Sequence, residues 1–490
     1  MKIKIENFGP VKEFIFDTEK DFHIIIGDNN VGKSYVLTAY YFIVKSLIEI
    51  SSSRGMNKAW VYFSQIYEEE PSFLETTEAK NFIKQANEKK TGDISITDLY
   101  KFIAKDFLQN SLAVELSKKI KSSYNEIGSI VNSFSKSSFA KFTIQSNMLS
   151  IILEGNVDEF KIVEVDLQRS VLVRISKQNR SPTISNGKQV IYKHTNEDIE
   201  ATISKIKQHC LVRLMALLEE AIGPVRDIDY LPASRSGLYQ ALSAFGQIIA
   251  ELSKSRSFLS SRIELPGISG QLSDYFIKLT NIRSTKSLGN DAFTDAAKKI
   301  ENSVLKGSIE YDFKEKRLYY RPQGTNLRLD LSATSSMVSE TAPIVAYIRH
   351  IIAWNDTSPN LIRFKKRTKN IDNTPQKKIL IIEEPEAHLH PSNQIKMTDI
   401  YADLSTAGVK IIMTSHSNYI FNKVSNLVIE GKLQPSKTQC DLFKVTNEGS
   451  IGESQEIDEY GINDNNFSDA SEELINERMD LINNRESSSD

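Results

Sequence analysis

Residues 23–34 read HIIIGDNNVGKS. Three isoleucines precede a first glycine, and after four further residues a second glycine is followed by lysine and serine. Glycines at the two ends of a G-x-x-x-x-G-K-S spacing allow the backbone to turn its N–H groups toward phosphate oxygens. The lysine of this spacing can reach the β- and γ-phosphates of ATP, and the serine hydroxyl can coordinate Mg²⁺. A helix predicted to follow directs its positive N-terminus at the same anion. The pattern predicts a P-loop formed by Gly27, Asp28, Asn29, Asn30, Val31, Gly32, Lys33, Ser34 and Tyr35.

Two adjacent glutamates follow a second apolar run, in residues 377–391, KKILIIEEPEAHLHP. The run at residues 379–382 is typical of a buried strand, and open α/β sheets bind ligands at the carboxyl ends of their strands. A P-loop needs a carboxylate there for the magnesium ion, together with a group that orients the attacking water. We therefore assign Glu383 to Mg²⁺ and Glu384 to activation of water. Two exposed acids at a strand end are the structural alternative.

A histidine follows a third apolar run, in residues 408–420, GVKIIMTSHSNYI. A lone histidine after a strand is usually structural. His416 lies about thirty residues beyond the glutamate pair and at the same predicted edge of the sheet, so we predict that it contacts the γ-phosphate. With Lys33 and Glu384 it completes the predicted catalytic residues.

The elements that must position these residues alternate in the last third of the chain. Apolar strands and helices follow one another there, which is typical of a parallel sheet covered on both faces. Residues 57–137 are predicted to be largely helical, and five short alternating segments between residues 139 and 194 are predicted to be antiparallel strands. The fold class is α/β with a mixed sheet. The predicted domains are 1–50 (first part of the core), 51–225 (helical, then β-rich insertion), 226–450 (second part of the core) and 451–490 (acidic tail).

Composition predicts an ordinary globular protein, with 40% hydrophobic and 25% charged residues. No apolar run approaches the length of about 18 residues that spans a bilayer, so we predict no membrane association. The chain has two cysteines, Cys210 and Cys440. They form no paired zinc-ligand spacing and fit a reducing cytoplasm.

Charge is distributed unevenly along the chain. Residues 452–490 carry twelve acidic and two basic residues, which leaves 59 basic and 51 acidic residues in the rest. The segment at residues 358–378, SPNLIRFKKRTKNIDNTPQKK, is strongly basic. A solvated surface loop is the simpler interpretation, and contact with a nucleic-acid backbone is the alternative.

The three motifs, in this order, resemble those of the ATP-binding-cassette type of P-loop ATPase. The resemblance is to the branch that contains RecF, the SMC-like proteins and the overcoming-lysogeny (OLD) ATPases, and it covers residues 1–45 and 225–430. IENFGPVKEF resembles the opening strand of that branch, EEPEAHLHP its Walker B motif and D-loop, and TSHS its switch histidine. The segments YLPASRSGL and SSMVSETAPIVAYIRH are similar to AAA-family ATPases of phage-defence operons, such as the PARIS (AriA-like) and Septu (PtuA-like) ATPases.

The resemblance implies that two cassettes sandwich ATP in a homodimer or larger homo-oligomer, each contributing a signature segment to the partner's nucleotide. Residues 331–336 correspond to this segment, with Ser335 and Ser336 as the implied phosphate contacts. The segment lacks the usual glycines, and Glu383 stands where the family more often has aspartate. Arg235, within PASRSG, is implied as a phosphate or trans-acting arginine, with simple packing as the alternative.

The resemblance also implies a biological role, as an ATPase sensor or scaffold that controls a separate Toprim-like or HNH-like nuclease in anti-phage defence. The residues after His416 offer no cluster of carboxylates on strands, so we expect no intrinsic nuclease. A DNA-repair or chromosome-associated ATPase that binds DNA is the alternative function. The subunit that energises a transporter would need a glycine-rich signature, which this sequence lacks. A module that binds ATP without hydrolysing it is a further alternative.

Overall fold

The computed structural model describes ten parts of the chain, which form two compact units. One unit contains residues 19–34, 228–446 and 450–490, and we call it the core unit; the other contains residues 1–18, 35–227 and 447–449, and we call it the insert unit. The described residues are 1–51, 75–89, 91–177, 180–185, 188–241, 269–282, 291–353, 377–463, 474–482 and 485.

Twenty strands and ten α-helices have both of their ends within these residues. The strands are β1 (Lys2–Phe8), β2 (Val11–Asp17), β3 (Phe22–Ile26), β4 (Gly92–Ser95), β5 (Ala140–Gln145), β6 (Leu149–Gly155), β7 (Phe160–Leu167), β8 (Val171–Ser176), β9 (Thr183–Ser185), β10 (Lys188–His194), β11 (Val225–Leu231), β12 (Gly307–Asp312), β13 (Arg317–Pro322), β14 (Leu329–Asp330), β15 (Lys377–Glu383), β16 (Val409–Ser415), β17 (Thr438–Thr446), β18 (Gly449–Ser454), β19 (Ile457–Asp458) and β20 (Gly461–Ile462). The helices are α1 (Lys33–Ser51), α2 (Thr77–Glu88), α3 (Thr97–Leu108), α4 (Val114–Tyr124), α5 (Ile199–Ile222), α6 (Gly270–Thr280), α7 (Asp291–Ile300), α8 (Ser336–Ala346), α9 (Pro391–Thr406) and α10 (Asn418–Ile429).

The core unit is built on a sheet whose strands follow the order β11-β15-β16-β3-β17-β18. β15 pairs in parallel with β16, and β3 pairs in parallel with both β16 and β17. All residues of β3 and β16 are buried, as expected for strands covered on both faces. The predicted parallel sheet is confirmed, and its parallel direction brings the carboxyl ends of β3, β15 and β16 to one edge.

Local signals explain where the helices beside this edge begin. Ser335 caps α8 by accepting a hydrogen bond from the N–H of Val338, and Ser417 caps α10 by accepting from Tyr419 and Ile420. α9 begins with Pro391, whose missing N–H costs nothing in the first turn of a helix. Each cap fixes the direction in which the chain leaves a strand or a loop of the site.

The insert unit contains predicted helices from residue 77 onward and the predicted strands, with one correction, whereas residues 57–74 of the predicted helical region lie outside the described residues. Its strands β2, β1, β5, β6 and β7 are neighbours in this order, and each pairs with the next in antiparallel orientation. A four-stranded sheet follows the order β4-β8-β10-β9. The prediction that the strands are antiparallel throughout is wrong at β8 and β10, which pair in parallel. The reason is that β9 lies between them in the chain but pairs on the far side of β10.

The division into units differs from the predicted domains at the N-terminus. Sequence patterns place residues 1–50 in the core, whereas β1, β2 and α1 beyond Ser34 belong to the insert unit. The physical reason is that β1 pairs with β2 on one side and with β5 of the insertion on the other.

The end of the chain carries four strands. After α10, β17 is followed by β18 and by the small pair β19–β20. Residues 474–482 are helical. Most of the basic segment, residues 358–376, and parts of the acidic tail lie outside the described residues. Among the described helices, none is long and apolar enough to cross a membrane.

Candidate active site

The loop between β3 and α1 has the backbone conformation that its glycines were predicted to allow. Gly27 and Gly32 have φ angles of +138° and +102°, and Asn30 has +63°. A Cβ atom on Gly27 would lie 2.9 Å from Cβ of Phe443 in β17, so only glycine fits between the two strands. Residues 28–30 are exposed. The loop therefore presents its polar turn to solvent directly above the sheet.

Lys33 is buried and folds back over this loop. Its Nζ donates hydrogen bonds to the carbonyl oxygens of Gly27, at 2.9 Å, and Asp28, at 2.6 Å. Burial lowers the pKa of Lys33 to about 8, and nearby carboxylates, with Glu384 first among them, oppose the shift. The cation is thus held by main-chain carbonyls that a phosphate group can replace as acceptors.

Glu383 ends β15 as a buried carboxylate. Burial raises its pKa, whereas the hydroxyl groups of Ser34 and Tyr230 beside it favour its charged form. Its Oε2 accepts a hydrogen bond from the N–H of Ala233 at 3.3 Å. Its Oε1 is buried and accepts no hydrogen bond from the described residues. A free carboxylate oxygen beside a serine hydroxyl fits Mg²⁺, which binds through one or two protein oxygens and keeps several waters.

Glu384 has an unusual backbone and a partly exposed side chain. Its φ angle is +43°, a left-handed conformation that costs energy in a residue other than glycine. Its N–H donates to the carbonyl oxygen of Thr414 at 3.1 Å. The side chain is 44% exposed, and its Oε1 lies 4.0 Å from Nε2 of His416. The carboxylate is therefore accessible to solvent beside the histidine.

His416 follows β16 and turns toward the P-loop. A hydrogen bond joins its imidazole to the main chain of Gly27. Burial and the charge of Lys33 lower its pKa below the usual value, although Glu384 acts in the opposite direction. The imidazole is therefore neutral near pH 7 and can donate one N–H.

Glu386 is a residue of this site that the sequence patterns did not identify. Its Oε1 accepts hydrogen bonds from the N–H of His416, at 2.6 Å, and from the Ser415 hydroxyl, at 3.0 Å. Burial raises its pKa. Its place in EEPE, two residues after a proposed catalytic carboxylate, was the available signal. The pairing of β15 with β16 brings the carboxylate of Glu386 within hydrogen-bonding distance of the N–H of His416.

The remaining predicted site residues lie in three different environments. Ser335 and Ser336 are exposed at the N-terminus of α8. Tyr35 belongs to the insert unit, where its ring stacks on Tyr124 with centroids 5.1 Å apart. Arg235 is fully buried, and its guanidinium donates to main-chain carbonyls. These contacts correspond to the packing alternative for Arg235, and its contact with phosphate stays a prediction.

Comparison with known proteins places the chain in a family. Residues 1–421 match the family described as AAA ATPase domain, which is most of the chain. The chain belongs to the AAA ATPase domain family. Membership assigns it to the class of ATPases and agrees with the P-loop found between β3 and α1. Among curated proteins, none matches the sequence of this AAA ATPase domain protein.

Several solved structures are similar to this AAA ATPase domain protein at low sequence identity. An SMC head bound to the C-terminal winged-helix domain of ScpA is 11% identical, with a TM-score of 0.38 over 93% of this chain and 97% of its own. The SMC head domain from Thermotoga maritima is 9% identical, with a TM-score of 0.35 over 93% and 98%. A Pyrococcus furiosus SMC head with an extended coiled coil, bound to the C-terminal domain of ScpA, is 12% identical, with a TM-score of 0.37 over 97% and 98%.

Proposed function

We propose that the chain hydrolyses ATP to ADP and phosphate at the edge of the core sheet where β3, β15 and β16 end. The observation that carries this proposal is that residues distant from one another in the sequence meet at one loop. Lys33 bonds to Gly27, His416 bonds to the same glycine, and Glu384 lies beside His416. These residues are separated by up to 389 positions in the chain, and they surround one predicted phosphate-binding loop.

The P-loop binds the triphosphate through its main-chain N–H groups and Lys33. The nitrogen of Lys33 leaves the carbonyls of Gly27 and Asp28 and donates to the β- and γ-phosphates instead. Ser34 and Glu383 would hold Mg²⁺, which would supply positive charge to the phosphate oxygens. Because Glu383 already accepts from Ala233, its second oxygen is the one directed to the ion.

Glu384 acts as the general base. A water molecule attacks the γ-phosphorus, the bond from that phosphorus to the β–γ bridging oxygen breaks, and Glu384 accepts the proton of the water. His416, neutral near pH 7, donates a hydrogen bond to a γ-phosphate oxygen. Glu386 holds the main chain of His416 in this position.

The active form is proposed to be a homodimer with two ATP molecules in the interface. The exposed N-terminus of α8, with Ser335 and Ser336, supplies helix N–H groups and hydroxyls to the partner's γ-phosphate. A twofold arrangement would use the same surface of each copy.

In the cell, we assign the ATPase to anti-phage defence as a sensor or scaffold that controls a separate nuclease. The resemblance of YLPASRSGL and SSMVSETAPIVAYIRH to ATPases of phage-defence operons supports this assignment. The alternative, a DNA-associated ATPase, is supported by the basic sequence of residues 358–378. It predicts ATP turnover stimulated by DNA, with binding that weakens steeply as salt rises.

Two experiments test the proposal at its two levels. Purified protein is expected to release phosphate from ATP, and Lys33→Ala is expected to lose that activity by about a hundredfold or more. Absence of turnover in the parent protein would contradict the enzymatic proposal. Plaque counts on cells carrying the native operon test the biological role. If operons with wild-type protein and with Lys33→Ala restrict phages equally, the ATPase does not contribute to restriction. That result would contradict the defence assignment and would leave the enzymatic proposal unaffected.

A further inference from the structure

Arg235 is a completely buried cation whose donors are directed at the turn that carries Glu384. Its Nη1 donates to the carbonyl oxygens of Glu383, at 2.8 Å, and Pro232, at 3.0 Å. Its Nη2 donates to the carbonyl oxygen of Glu384 at 3.4 Å. The guanidinium thus contacts both residues of the glutamate pair through their main chains and leaves their carboxylates free.

A second contact of Arg235 leads to the helix α8. Its Nε donates to the carbonyl oxygen of Glu340 at 3.2 Å, and the Glu340 carboxylate accepts from the main-chain N–H of Arg235 at 3.0 Å. Ser236 donates to the same carboxylate through its hydroxyl at 2.5 Å. Glu340 is the fifth residue of α8, one turn beyond Ser336. We call Arg235 and Glu340, which are 0% and 5% exposed, the buried pair.

The backbone of Glu384 explains why such a pair is needed. A left-handed φ angle in a glutamate is costly, and it persists only where the surrounding structure determines it. The N–H of Glu384 donates to the carbonyl oxygen of Thr414. The carbonyl oxygen of Glu384 accepts from the N–H of Ala387 at 3.1 Å and from Arg235 at 3.4 Å. The guanidinium of Arg235 donates from three nitrogens to four carbonyl oxygens, whereas a lysine donates from a single nitrogen and cannot reach all four.

We propose that Arg235 is a positioning residue that fixes the main chain of Glu384 for catalysis. Through Glu340 it ties this glutamate to the helix that presents Ser335 and Ser336. The inference rests on the proposed ATPase function. In it, the buried pair holds the general base Glu384 at a fixed position relative to α8. A movement of α8 upon contact with a partner's nucleotide would then displace the main chain of Glu384 through the hydrogen bonds of Arg235.

The test is a mutant cycle with Glu384→Gln. We expect Arg235→Lys to lower kcat by about ten- to a hundredfold while the dissociation constant for ATP stays within about threefold of the wild-type value. In the Glu384→Gln background, single-turnover hydrolysis is expected to show no further loss from Arg235→Lys, because residues that act as a unit are not additive. Full additivity of the two losses, or an unchanged kcat in Arg235→Lys, overturns the inference.

Arg349 provides a matched control within the core unit. It forms an ion pair with Glu301 and donates to the carbonyl oxygen of Ile309 at 3.0 Å, and it touches no proposed site residue among those contacts. Arg349→Lys is expected to lower the thermal unfolding midpoint as Arg235→Lys does, but to leave kcat unchanged. An equal loss of kcat in both variants overturns the positioning role, since general destabilisation then explains it.

Glu340→Gln carries the test if Arg235→Lys does not fold. The substitution keeps an acceptor oxygen for Ser236, removes the charge of Glu340 and replaces the oxygen that accepts from the main-chain N–H of Arg235 by an NH2 group. It is therefore expected to lower kcat by about threefold to tenfold with ATP affinity retained. An unchanged kcat overturns the inference. Failure of the proposed function looks different, because Glu384→Gln would then hydrolyse ATP at the wild-type rate.

Discussion

At the scale of single residues, the protonation of Lys33 determines how tightly the empty site can bind phosphate. Its pKa is lowered to about 8 by burial, so the lysine is charged below this pH and becomes neutral above it. We expect the dissociation constant for ATP to be constant below about pH 7 and to rise about tenfold for each pH unit above about 8. Binding titrations with a fluorescent ATP analogue measure this dependence.

Glu384→Gln provides the control for that pH dependence. The carboxylate of Glu384 favours the charged form of Lys33, so its removal is expected to shift the rise in dissociation constant to lower pH. A dissociation constant that does not change between pH 7 and about 9.5 would show that Lys33 does not titrate in the empty site.

Glu386 gives a second prediction at this scale. Its carboxylate accepts from the N–H of His416, and a leucine there would leave that donor and the Ser415 hydroxyl without their acceptor. We expect Glu386→Leu to lower kcat about tenfold or more, and Glu386→Gln, which keeps an acceptor oxygen, to stay within about threefold of wild type. Steady-state phosphate release compares the two. Equal rates for the two variants would contradict the role given to Glu386.

The residues predicted to bind phosphate could be selected from the sequence because their chemistry depends on local spacing, and their contact with phosphate stays a prediction. Lys33 and Ser34 follow a glycine turn, and Glu383, Glu384 and His416 follow apolar strands. The roles of Glu386 and Arg235 depend on contacts across the fold, with hydrogen bonds that span 30 and 148 positions. Local sequence patterns do not show which distant residues such contacts join.

At the scale of elements, the close approach of β3 to β17 depends on Gly27. A Cβ there would meet both the side chain and the main chain of Phe443, at 2.9 Å and 3.1 Å. We expect Gly27→Ala to cost about 2 to 3 kcal/mol of unfolding free energy and to weaken ATP binding. Thermal unfolding and nucleotide titration measure the two effects.

Gly408 is the matched control for this strand packing. It has a φ angle of +99°, but a Cβ there would meet no atom within 4 Å. Gly408→Ala therefore carries backbone strain alone, about 1 kcal/mol, and is expected to leave ATP binding unchanged. Equal losses in both variants would mean that the contact with Phe443 is unimportant.

Elements with simple periodicity were the easier ones to predict. Continuous apolar residues in β15 and β16 indicated a parallel sheet because both faces of such strands are buried. The parallel pairing of β8 with β10 was missed because alternation shows which face is buried, whereas the direction of pairing is set by the path of the chain through β9.

At the scale of the whole molecule, the proposed dimer depends on the N-terminus of α8. We expect Glu384→Gln, which binds ATP without turnover, to form dimers with ATP and monomers without it. Adding Ser336→Glu places a carboxylate where the partner's γ-phosphate would bind, so the double variant is expected to stay monomeric while still binding ATP. Light scattering during size-exclusion chromatography measures the mass.

Thr77 supplies the control for the dimer experiment. It is the exposed first residue of α2, after the capping residue Thr76, as Ser336 is after Ser335. Thr77→Glu in the Glu384→Gln background is expected to dimerise with ATP normally. Dimers in the Ser336→Glu double variant would contradict the proposed interface.

The central claim is that Glu384 activates the water molecule that attacks the γ-phosphorus of ATP bound to the P-loop. Its most direct measurement is phosphate release by wild type and Glu384→Gln at saturating ATP, with ATP binding measured in parallel. We predict that Glu384→Gln binds ATP with about the wild-type dissociation constant and loses kcat by about a hundredfold or more. A Glu384→Gln variant that releases phosphate at the wild-type rate would contradict the claim.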